Sequence, residues 1–252
     1  MDEFIKESFD INSFPQWTCP TCMRGILEVV GELKTEETAE TLNSHNHPGF
    51  DYEWVRYTVF GTLKCNNSRC SEKVVMSGTG RQEEACYIGP NGQYHEIAYF
   101  MVKPIFMHPP INIFHVNHAV PEMVNQMLVK SFALFFCDNN ACGNRIRATL
   151  EVMLDVIDVP NKDEKGKFIH LAERLKKING ISQSLKNNLT ALRLLGNAAT
   201  HGEGLLCRKD NLDAYKLLAN VFDKLFSAKE NELDVLSDEI IKNQGPIRKS
   251  LS

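Results

Sequence analysis

The chain has 252 residues, of which 43% are hydrophobic and 24% charged, with a formal net charge of -4. This composition is typical of a globular protein and excludes a largely disordered chain. No run of eighteen apolar residues occurs, which excludes a membrane-spanning helix of ordinary length. The opening residues, MDEFIKESFD, lack the basic end and the apolar run of a secretion signal, so we expect a cytoplasmic protein.

Charge is distributed unevenly along the chain. Residues 1–120 hold 9 Lys and Arg against 15 Asp and Glu, whereas residues 121–252 hold 19 against 17. A site for a polyanion is therefore expected in the second half, as a local pocket rather than as a broad basic face.

The first predicted element is a metal site. Cys19 and Cys22 lie in WTCPTCMRG, and Cys65 and Cys70 lie in LKCNNSRC. A turn with closely spaced cysteines directs two sulfurs at one centre, and two such turns supply the four thiolates that tetrahedral zinc accepts. A cytosolic chain keeps its thiols reduced, which favours metal binding over disulfides. We predict a structural zinc ion; four unliganded thiols are the alternative.

The segments that flank these turns have the pattern of β-strands. They are Ile26–Val30, Trp54–Leu63 and Glu72–Met76. The arrangement resembles a zinc ribbon, with two departures: four residues separate Cys65 from Cys70, and 42 residues separate Cys22 from Cys65. The excess, residues 34–53, is polar and is predicted to be a solvated insertion. His45 and His47 in it are alternative ligands, which we expect to be merely exposed.

The remaining cysteines give weaker signals. Cys137 and Cys142 in CDNNAC repeat the spacing of the second turn, but five residues along a helix rotate the side chain by about 140°. A second metal site there requires a break in the helix, which Asp138 and the neighbouring asparagines leave open. Cys86 and Cys207 stand alone, and we interpret them as small buried residues rather than nucleophiles.

Between the halves, the segment MVKPIFMHPPINIFHVNHAVP contains four prolines, at 104, 109, 110 and 121, so it is predicted to be extended. Its histidines, His108, His115 and His118, are interpreted as surface residues. We place a domain boundary here, with a β-rich zinc ribbon at residues 1–104 and a helical domain at residues 105–252. The predicted fold class is α+β.

From Pro121 the hydrophobic period changes from two to about 3.6. Pro121 suits a first helical position, Gly180 a helix end and Ser182 a helix cap. Short connections such as NGIS predict an antiparallel bundle. The predicted apolar faces contain Val124, Met127, Leu128, Ser131 and Phe135; Ile146, Leu150, Met153, Leu154 and Ile157; Phe168, Leu171, Leu175 and Ile178; Leu185, Leu189, Leu192, Gly196 and Ala199; and residues 212–226, with one more helix at 230–242.

The stretch LRLLGNAATHGEG carries polar residues in an unusual place. Arg193, Asn197 and His201 repeat every four residues and form one polar row beside the apolar face. Gly196 lies on that face, although glycine inside a helix costs roughly 1 kcal/mol relative to alanine, which predicts close approach of a neighbouring element. Gly202 and Gly204 are expected to end the helix, so that its dipole favours a charged His201 imidazole.

A second polar row lies in RIRATLEVMLD, where Arg147, Glu151 and Asp155 also repeat every four residues. Taken alone, this row is interpreted as ordinary ion pairs on a wet helix face, each contributing a few tenths of a kcal/mol.

RIRATLE followed by LRLLGNAATHGEG resembles the domain of unknown function 4145 family, a branch of the HEPN superfamily of four-helix-bundle proteins, over roughly residues 105–226. The family also contains members with a zinc ribbon ahead of this domain. Many HEPN proteins are metal-independent ribonucleases that use an arginine and a histidine four to six residues apart, usually paired across a dimer. The resemblance implies these roles for Arg193 and His201. Here seven residues separate the two, which corresponds to about 12 Å of axial rise.

Two functions follow as expectations. The first is an endoribonuclease, such as a toxin or an anti-phage defence effector, in which His201 transfers a proton, Arg193 offsets phosphoryl charge and Asn197 orients an oxygen. The second is a non-catalytic module that binds nucleic acid or a partner protein. A third interpretation makes the three residues purely structural. The resemblance also implies a homodimer formed through the helical domain.

Overall fold

The computed structural model describes residues 1–201, 206–226 and 228–244, without the side chains of Asp2, His201 and residues 228–234. An antiparallel sheet comes first and helices follow, so the predicted α+β class is confirmed. The strands run in the order β1-β6-β5-β4-β2, with β3 also paired to β4. Their bounds are β1 (Phe9–Asp10), β2 (Leu27–Val29), β3 (Lys34–Glu37), β4 (Tyr57–Cys65), β5 (Lys73–Ile88) and β6 (Tyr94–His108).

The three β-type segments predicted around the cysteines correspond to β2, β4 and the start of β5. Buried residues alternate with exposed ones along β4 and the first half of β5, as the side-chain period of two requires. The polar segment 34–53 is largely exposed, but it is not a plain loop. It contains β3 and a short helix, α1 (Ala39–Ser44), which Thr38 caps through its side chain.

The sheet is larger than a small ribbon because β5 and β6 form a long hairpin. The pairing continues from Val75 opposite His108 to Ile88 opposite Tyr94, and it is irregular between Ser77 and Gly78. Pro104, which has no backbone N–H, lies opposite Gly78 at this irregularity. A β-carbon at Gly78 would collide with the carbonyl oxygen of Lys103, so glycine is required there. The predicted extended segment is therefore partly a strand of this sheet.

The helices of the second half are α2 (Glu122–Leu134), α3 (Asn139–Val156), α4 (Leu171–Lys176), α5 (Gln183–His201), α6 (Arg208–Phe226) and α7 (Ala228–Lys242). Helix α3 packs against α2, α5 and α6, and α5 packs against α6. In the described part of the chain, no helix is both long enough and apolar enough to cross a bilayer.

One of the predicted start and stop signals is confirmed: Ser182 Oγ accepts a hydrogen bond from the backbone N–H of Leu185, at 3.2 Å, before α5 begins. The prediction that Gly180 ends a helix was wrong, because Lys177 is already the C-cap of α4; the φ of +75° at Gly180 belongs to the bend that follows. Pro121 occupies the cap of α2 rather than its first position. The third predicted helix was too long, because α4 begins only at Leu171 and Phe168 lies outside it with 73% of its surface exposed.

The sheet and the helices share one hydrophobic core. Phe4 packs edge-on against Phe135, with ring centroids 6.0 Å apart, and Trp17 contacts Phe136 at 5.6 Å. The guanidinium group of Arg208 lies over the rings of Phe135 and Phe136, and it donates a hydrogen bond to the carbonyl oxygen of Lys6. The boundary predicted after residue 104 falls within β6 and remains a prediction.

Candidate functional site

The two cysteine turns meet at one end of the sheet. Cys65 is the last residue of β4 and pairs with Leu27 of β2, and the turn after it brings Cys70 back before β5 begins. The first turn is closed by a hydrogen bond from Met23 N–H to the carbonyl oxygen of Cys19, at 3.1 Å. Strand pairing thus places two turns that are distant in sequence side by side.

The four thiols of these turns converge. The sulfurs of Cys19, Cys22, Cys65 and Cys70 all lie within 4.8 Å of one another. Cys19 Sγ is 3.8 Å from Cys70 Sγ, and Cys22 Sγ is 3.7 Å from Cys65 Sγ. A tetrahedral zinc ion with Zn–S bonds of about 2.3 Å separates its sulfurs by roughly 3.8 Å. The cluster could therefore hold a metal ion and is compatible with zinc.

The surroundings of the sulfurs favour the thiolate at Cys22 and the neutral thiol at Cys65. Gly25 N–H and the Asn67 side-chain amide both point at Cys22 Sγ, at 3.4 and 3.7 Å. Hydrogen bonds from the backbone N–H groups of Gly25 and Arg24 lower the pKa of Cys22 to about 6, whereas burial raises the pKa of Cys65 to about 12. Four thiolates this close repel one another, so a cation is needed before all four can ionise.

Gly25 is required by the packing of the centre. A β-carbon at this position would collide with Cys65 Sγ and would lie 2.9 Å from the β-carbon of Asn67. The two histidines of the insertion are engaged elsewhere: His45 Nε2 lies 2.7 Å from Glu37, and His47 Nδ1 accepts a hydrogen bond from Gly49 N–H. Both are exposed, as predicted.

Cys137 and Cys142 have separate environments. Asp138 caps α3 through Ala141 N–H, so the helix break between the two cysteines does exist. Cys142 is buried with its sulfur 3.2 Å from the hydroxyl of Tyr215, and Cys137 is exposed near the carbonyl oxygen of Leu134. Across the described ranges, no third ligand joins them in a metal-binding group.

The prediction for the two lone cysteines was wrong. Cys86 and Cys207 are both exposed rather than buried. Cys86 lies on the outer half of the β5–β6 hairpin, where most side chains on both strands are exposed, and Cys207 directly precedes α6.

The two polar rows face each other across α3 and α5. Arg147 Nη1 donates a hydrogen bond to Asn197 Oδ1, at 2.5 Å, and Arg147 Nε lies 3.3 Å from Glu151. One turn along, Thr200 donates to Asn144 Oδ1, at 2.6 Å. We call the residues Asn144, Arg147, Glu151, Arg193, Asn197 and Thr200 the α3–α5 seam. The i, i+4 pair predicted between Arg147 and Glu151 is present, but the contact to Asn197 could not be derived from either row alone.

Gly196 makes this contact possible. A β-carbon at residue 196 would lie 2.5 Å from the β-carbon of Arg147 and 3.1 Å from its next two carbons. The predicted close approach is therefore real, and it takes place inside the chain, where α5 meets α3.

Asp155 belongs to a neighbouring group. It accepts a hydrogen bond from Arg174 Nη2, at 2.6 Å, and Arg174 also donates to the carbonyl oxygen of Val159. Arg174 is almost fully buried, and sequence reasoning missed it because α4 carries no motif. A cleft of about 270 Å³ connects this group with the seam; its walls include Arg147, Glu151, Asn161, His170 and Arg174.

Of the predicted catalytic row, the structure shows the contacts of Asn197 but none of Arg193, and it does not describe the side chain of His201. Arg193 is half-buried on α5 and forms no hydrogen bond or ion pair with the residues the structure describes. His201 is the last residue of α5, and its side chain, like Gly202 and Gly204, lies outside the described part. The catalytic assignment therefore remains a prediction.

Two family models match separate parts of the chain. Residues 130–243 match the model described as Domain of unknown function (DUF4145). Residues 7–107 match a second model, described as Domain of unknown function (DUF8608). The resemblance to the domain of unknown function 4145 family, which RIRATLE and LRLLGNAATHGEG indicated, is thus confirmed over a segment that begins and ends later than predicted. The relation to the HEPN superfamily and the zinc ribbon remain predictions. Searches of curated proteins and of solved structures returned no match.

Proposed function

We propose that the protein is a metal-independent endoribonuclease of the HEPN type, with its cleavage site on the α3–α5 seam and a structural zinc ion at the cysteine centre. The hydrogen bond between Arg147 and Asn197 carries the proposal, because it brings a partly exposed guanidinium to the same helix row as His201.

This guanidinium resolves the spacing problem of the α5 row. Arg193 precedes His201 by eight residues, or about 12 Å along the helix axis, which is too far for one phosphate. Asn197 precedes His201 by four residues, or about 6 Å. Arg147 is anchored at the level of Asn197, so it can replace Arg193 as the group that offsets phosphoryl charge.

The chemistry then needs no metal at the cleavage site. His201 accepts the proton of a ribose 2′-hydroxyl, whose oxygen attacks the adjacent phosphorus. The bond from phosphorus to the 5′-oxygen breaks, that oxygen receives a proton from water, and the His201 imidazolium returns its proton to the solvent. Arg147 donates hydrogen bonds to the phosphoryl oxygens as their charge increases, and Asn197 orients Arg147. The products are a 2′,3′-cyclic phosphate and a 5′-hydroxyl.

The cysteine centre has a different role in this proposal. Zinc bound by four thiolates has no open position for water or substrate, which is typical of structural sites. The centre joins the two turns at the end of the sheet, and its ion contributes folding free energy there.

A second function is favoured by one contact. Glu151 is 3.3 Å from Arg147, so the guanidinium is already partly neutralised before any phosphate arrives. A seam that is satisfied internally suits a non-catalytic module that binds nucleic acid elsewhere, with Arg147 and Asn197 bracing two helices.

Cleavage of a labelled single-stranded RNA by purified protein distinguishes the two functions. We expect a 2′,3′-cyclic phosphate product, no cleavage of DNA of the same sequence, and a rate that survives magnesium removal. His201→Ala should lower the rate by roughly 100-fold or more, the effect of losing a general acid or base.

Arg147→Lys and Arg193→Lys form a matched pair, because each keeps the charge but removes the planar fork. We expect the larger loss for Arg147→Lys. An equal or greater loss for Arg193→Lys would return the role to that residue. Absence of cleavage by the wild type, combined with a lower melting temperature for His201→Ala, would leave only the bracing role.

A homodimer belongs to the proposal because the family resemblance implies a site completed across a two-fold axis. Gly196 cannot supply the interface, since Arg147 fills its space. Leu194 is 54% exposed beside Arg193 and offers an apolar contact instead. Light scattering at tens of micromolar should report a dimer for the wild type and a monomer for Leu194→Lys; a monomeric wild type would exclude the shared site.

A further inference from the structure

A second cleft, of about 700 Å³, lies between the cysteine turns and the segment that joins β6 to α2. We call it the turn cleft. The first cysteine turn contributes residues 20–24, the second contributes Asn67, Arg69 and Cys70, and the opposite wall comes from residues 109–118 with Asn125 and Val129 of α2. Its volume falls within the roughly 300–1,000 Å³ typical of ligand sites.

The turn cleft gathers arginine and histidine side chains, although the protein as a whole is acidic. Two thiols of the cysteine centre, Cys22 and Cys70, also line it. Its lining contains Arg24, Arg69, His115 and His118 but no Asp or Glu, although the chain has 32 acidic residues against 28 Lys and Arg. All four of these side chains belong to exposed residues. Carboxylates are therefore kept away from a surface on which two guanidinium groups meet solvent.

The two arginines of the cleft are also uncommitted. Among the residues that the structure describes, neither Arg24 nor Arg69 forms an ion pair, whereas Arg81, Arg147 and Arg174 each pair with a carboxylate. A guanidinium without a carboxylate keeps its donors available for an anion, and the planar fork suits phosphate oxygens.

The walls of the cleft are held in position. Asn112 Nδ2 donates to the carbonyl oxygen of Pro20, at 3.2 Å, and lies 3.0 Å from Met23 Sδ. These contacts tie the segment after β6 to the first cysteine turn. Because the two walls are fixed before a ligand arrives, less ordering free energy is lost on binding.

We infer that the turn cleft binds the sugar–phosphate backbone of single-stranded RNA. Arg24 and Arg69 contact phosphates from one wall, while the imidazole rings of His115 and His118 on the other wall stack with or donate to bases. The choice of RNA over another phosphate ligand rests on the proposed function; the phosphate chemistry rests on the cleft alone.

Fluorescence anisotropy with a short, labelled 2′-O-methyl RNA tests this inference on the full-length, zinc-loaded protein, because such RNA keeps its phosphates but cannot be cleaved. The double variant Arg24→Gln/Arg69→Gln should bind roughly tenfold more weakly or worse. The slope of log affinity against log salt should fall by about 1.4, or about 0.7 for each lost phosphate contact on a single strand.

Lys64→Gln/Lys73→Gln is the matched control. These lysines are exposed neighbours on β4 and β5, outside the lining of the cleft, and their replacement removes the same number of positive charges from the adjoining sheet. We expect less than a threefold change. An equal loss in both double variants would overturn the inference in favour of general charge attraction, and unchanged affinity in the arginine variant would overturn it directly.

Metal content separates the inference from a structural role for the arginines. If Arg24 and Arg69 serve mainly to neutralise the thiolates, the arginine variant will lose zinc, and that result would overturn the inference. His115→Asn/His118→Asn, on the wall away from the cysteines, should weaken binding with zinc retained. Displacement of the RNA by inorganic phosphate at constant ionic strength would identify a small phosphate ligand instead.

Failure of the inference and failure of the proposed function give different results. Binding that depends on Arg24 and Arg69 without cleavage supports the cleft and rejects the ribonuclease. RNA cleavage by the wild type, combined with normal RNA binding by the arginine variant, supports the ribonuclease and rejects the cleft as the binding site.

Discussion

The cysteine centre and the α3–α5 seam both gather polar side chains from distant parts of the chain, but they balance charge in opposite ways. At the centre, four thiols converge within 4.8 Å of one another. At the seam, a guanidinium meets an amide and a carboxylate that satisfy it. Four thiolates that converge need a cation from outside the chain, whereas a guanidinium that already contacts a carboxylate and an amide does not need a ligand. The centre is therefore the stronger indication of a bound ligand.

The largest effect is expected when one of the four cysteine ligands is removed. Cys65→Ser should abolish stoichiometric zinc binding and unfold the sheet, because a structural ion supplies folding free energy only to a complete ligand set. Metal analysis and the fluorescence of Trp17, which is fully buried beside the centre, would report it.

Cys86→Ser, on the exposed part of the hairpin, is the control and should retain one zinc per chain. If wild-type protein is prepared without chelators and still carries no zinc, the conclusion that the cysteine centre needs a bound ion is wrong.

A smaller effect is expected at the seam. Gly196→Ala should destabilise the protein by about 1–3 kcal/mol, because the new methyl group meets the β-carbon of Arg147 rather than the flexible end of its side chain. Denaturant unfolding would measure it. Gly49→Ala, where the nearest atom is 3.5 Å away, should change little. If Gly196→Ala is neutral or stabilising, α3 and α5 are not held at the distance that the Arg147–Asn197 contact needs.

The smallest effect concerns an exposed pair of unlike charges, Glu7 and Lys103, 2.6 Å apart. The hydrogen bond from Lys103 lowers the pKa of Glu7 below its ordinary 4.5. The stabilisation is therefore present above pH 4.5 and is lost as the pH falls through the lowered pKa. Glu7→Gln should cost up to about 1 kcal/mol at pH 7 and nothing near pH 2, as thermal melts at both pH values would show. If the variant is still less stable than the wild type near pH 2, the effect comes from the packing of the Glu7 side chain and not from its charge.

The cysteine centre could be predicted because each half of it is local. Two closely spaced cysteines and a β-type flank are visible within ten residues, and only the pairing of the turns needed the sheet. The β5–β6 hairpin could not be predicted in the same way. Gly78 and Pro104 are unfavourable in strands, and they are accommodated by an irregular pairing that no single segment reveals. The GPNG at residues 89–92 was the available signal for its turn.

The seam and the turn cleft were harder for another reason. Helical periodicity places Arg147 and Asn197 on polar rows, but only the packing of α3 against α5 shows that the rows meet. The charge count of each half pointed to the second half for anion binding, whereas the uncommitted Arg24 and Arg69 lie in the acidic first half. A sum over 120 residues cannot reveal where carboxylates are missing from one surface.

The aromatic contacts between the two regions bear on modularity. Phe135 and Phe136 lie inside the segment that matches one family, while their partners Phe4 and Trp17 lie before or inside the segment that matches the other. Cutting the chain between the two matched segments would leave a cluster of large rings open to water on each fragment. The two segments match separate family models, but in this protein we expect them to fold together as one unit.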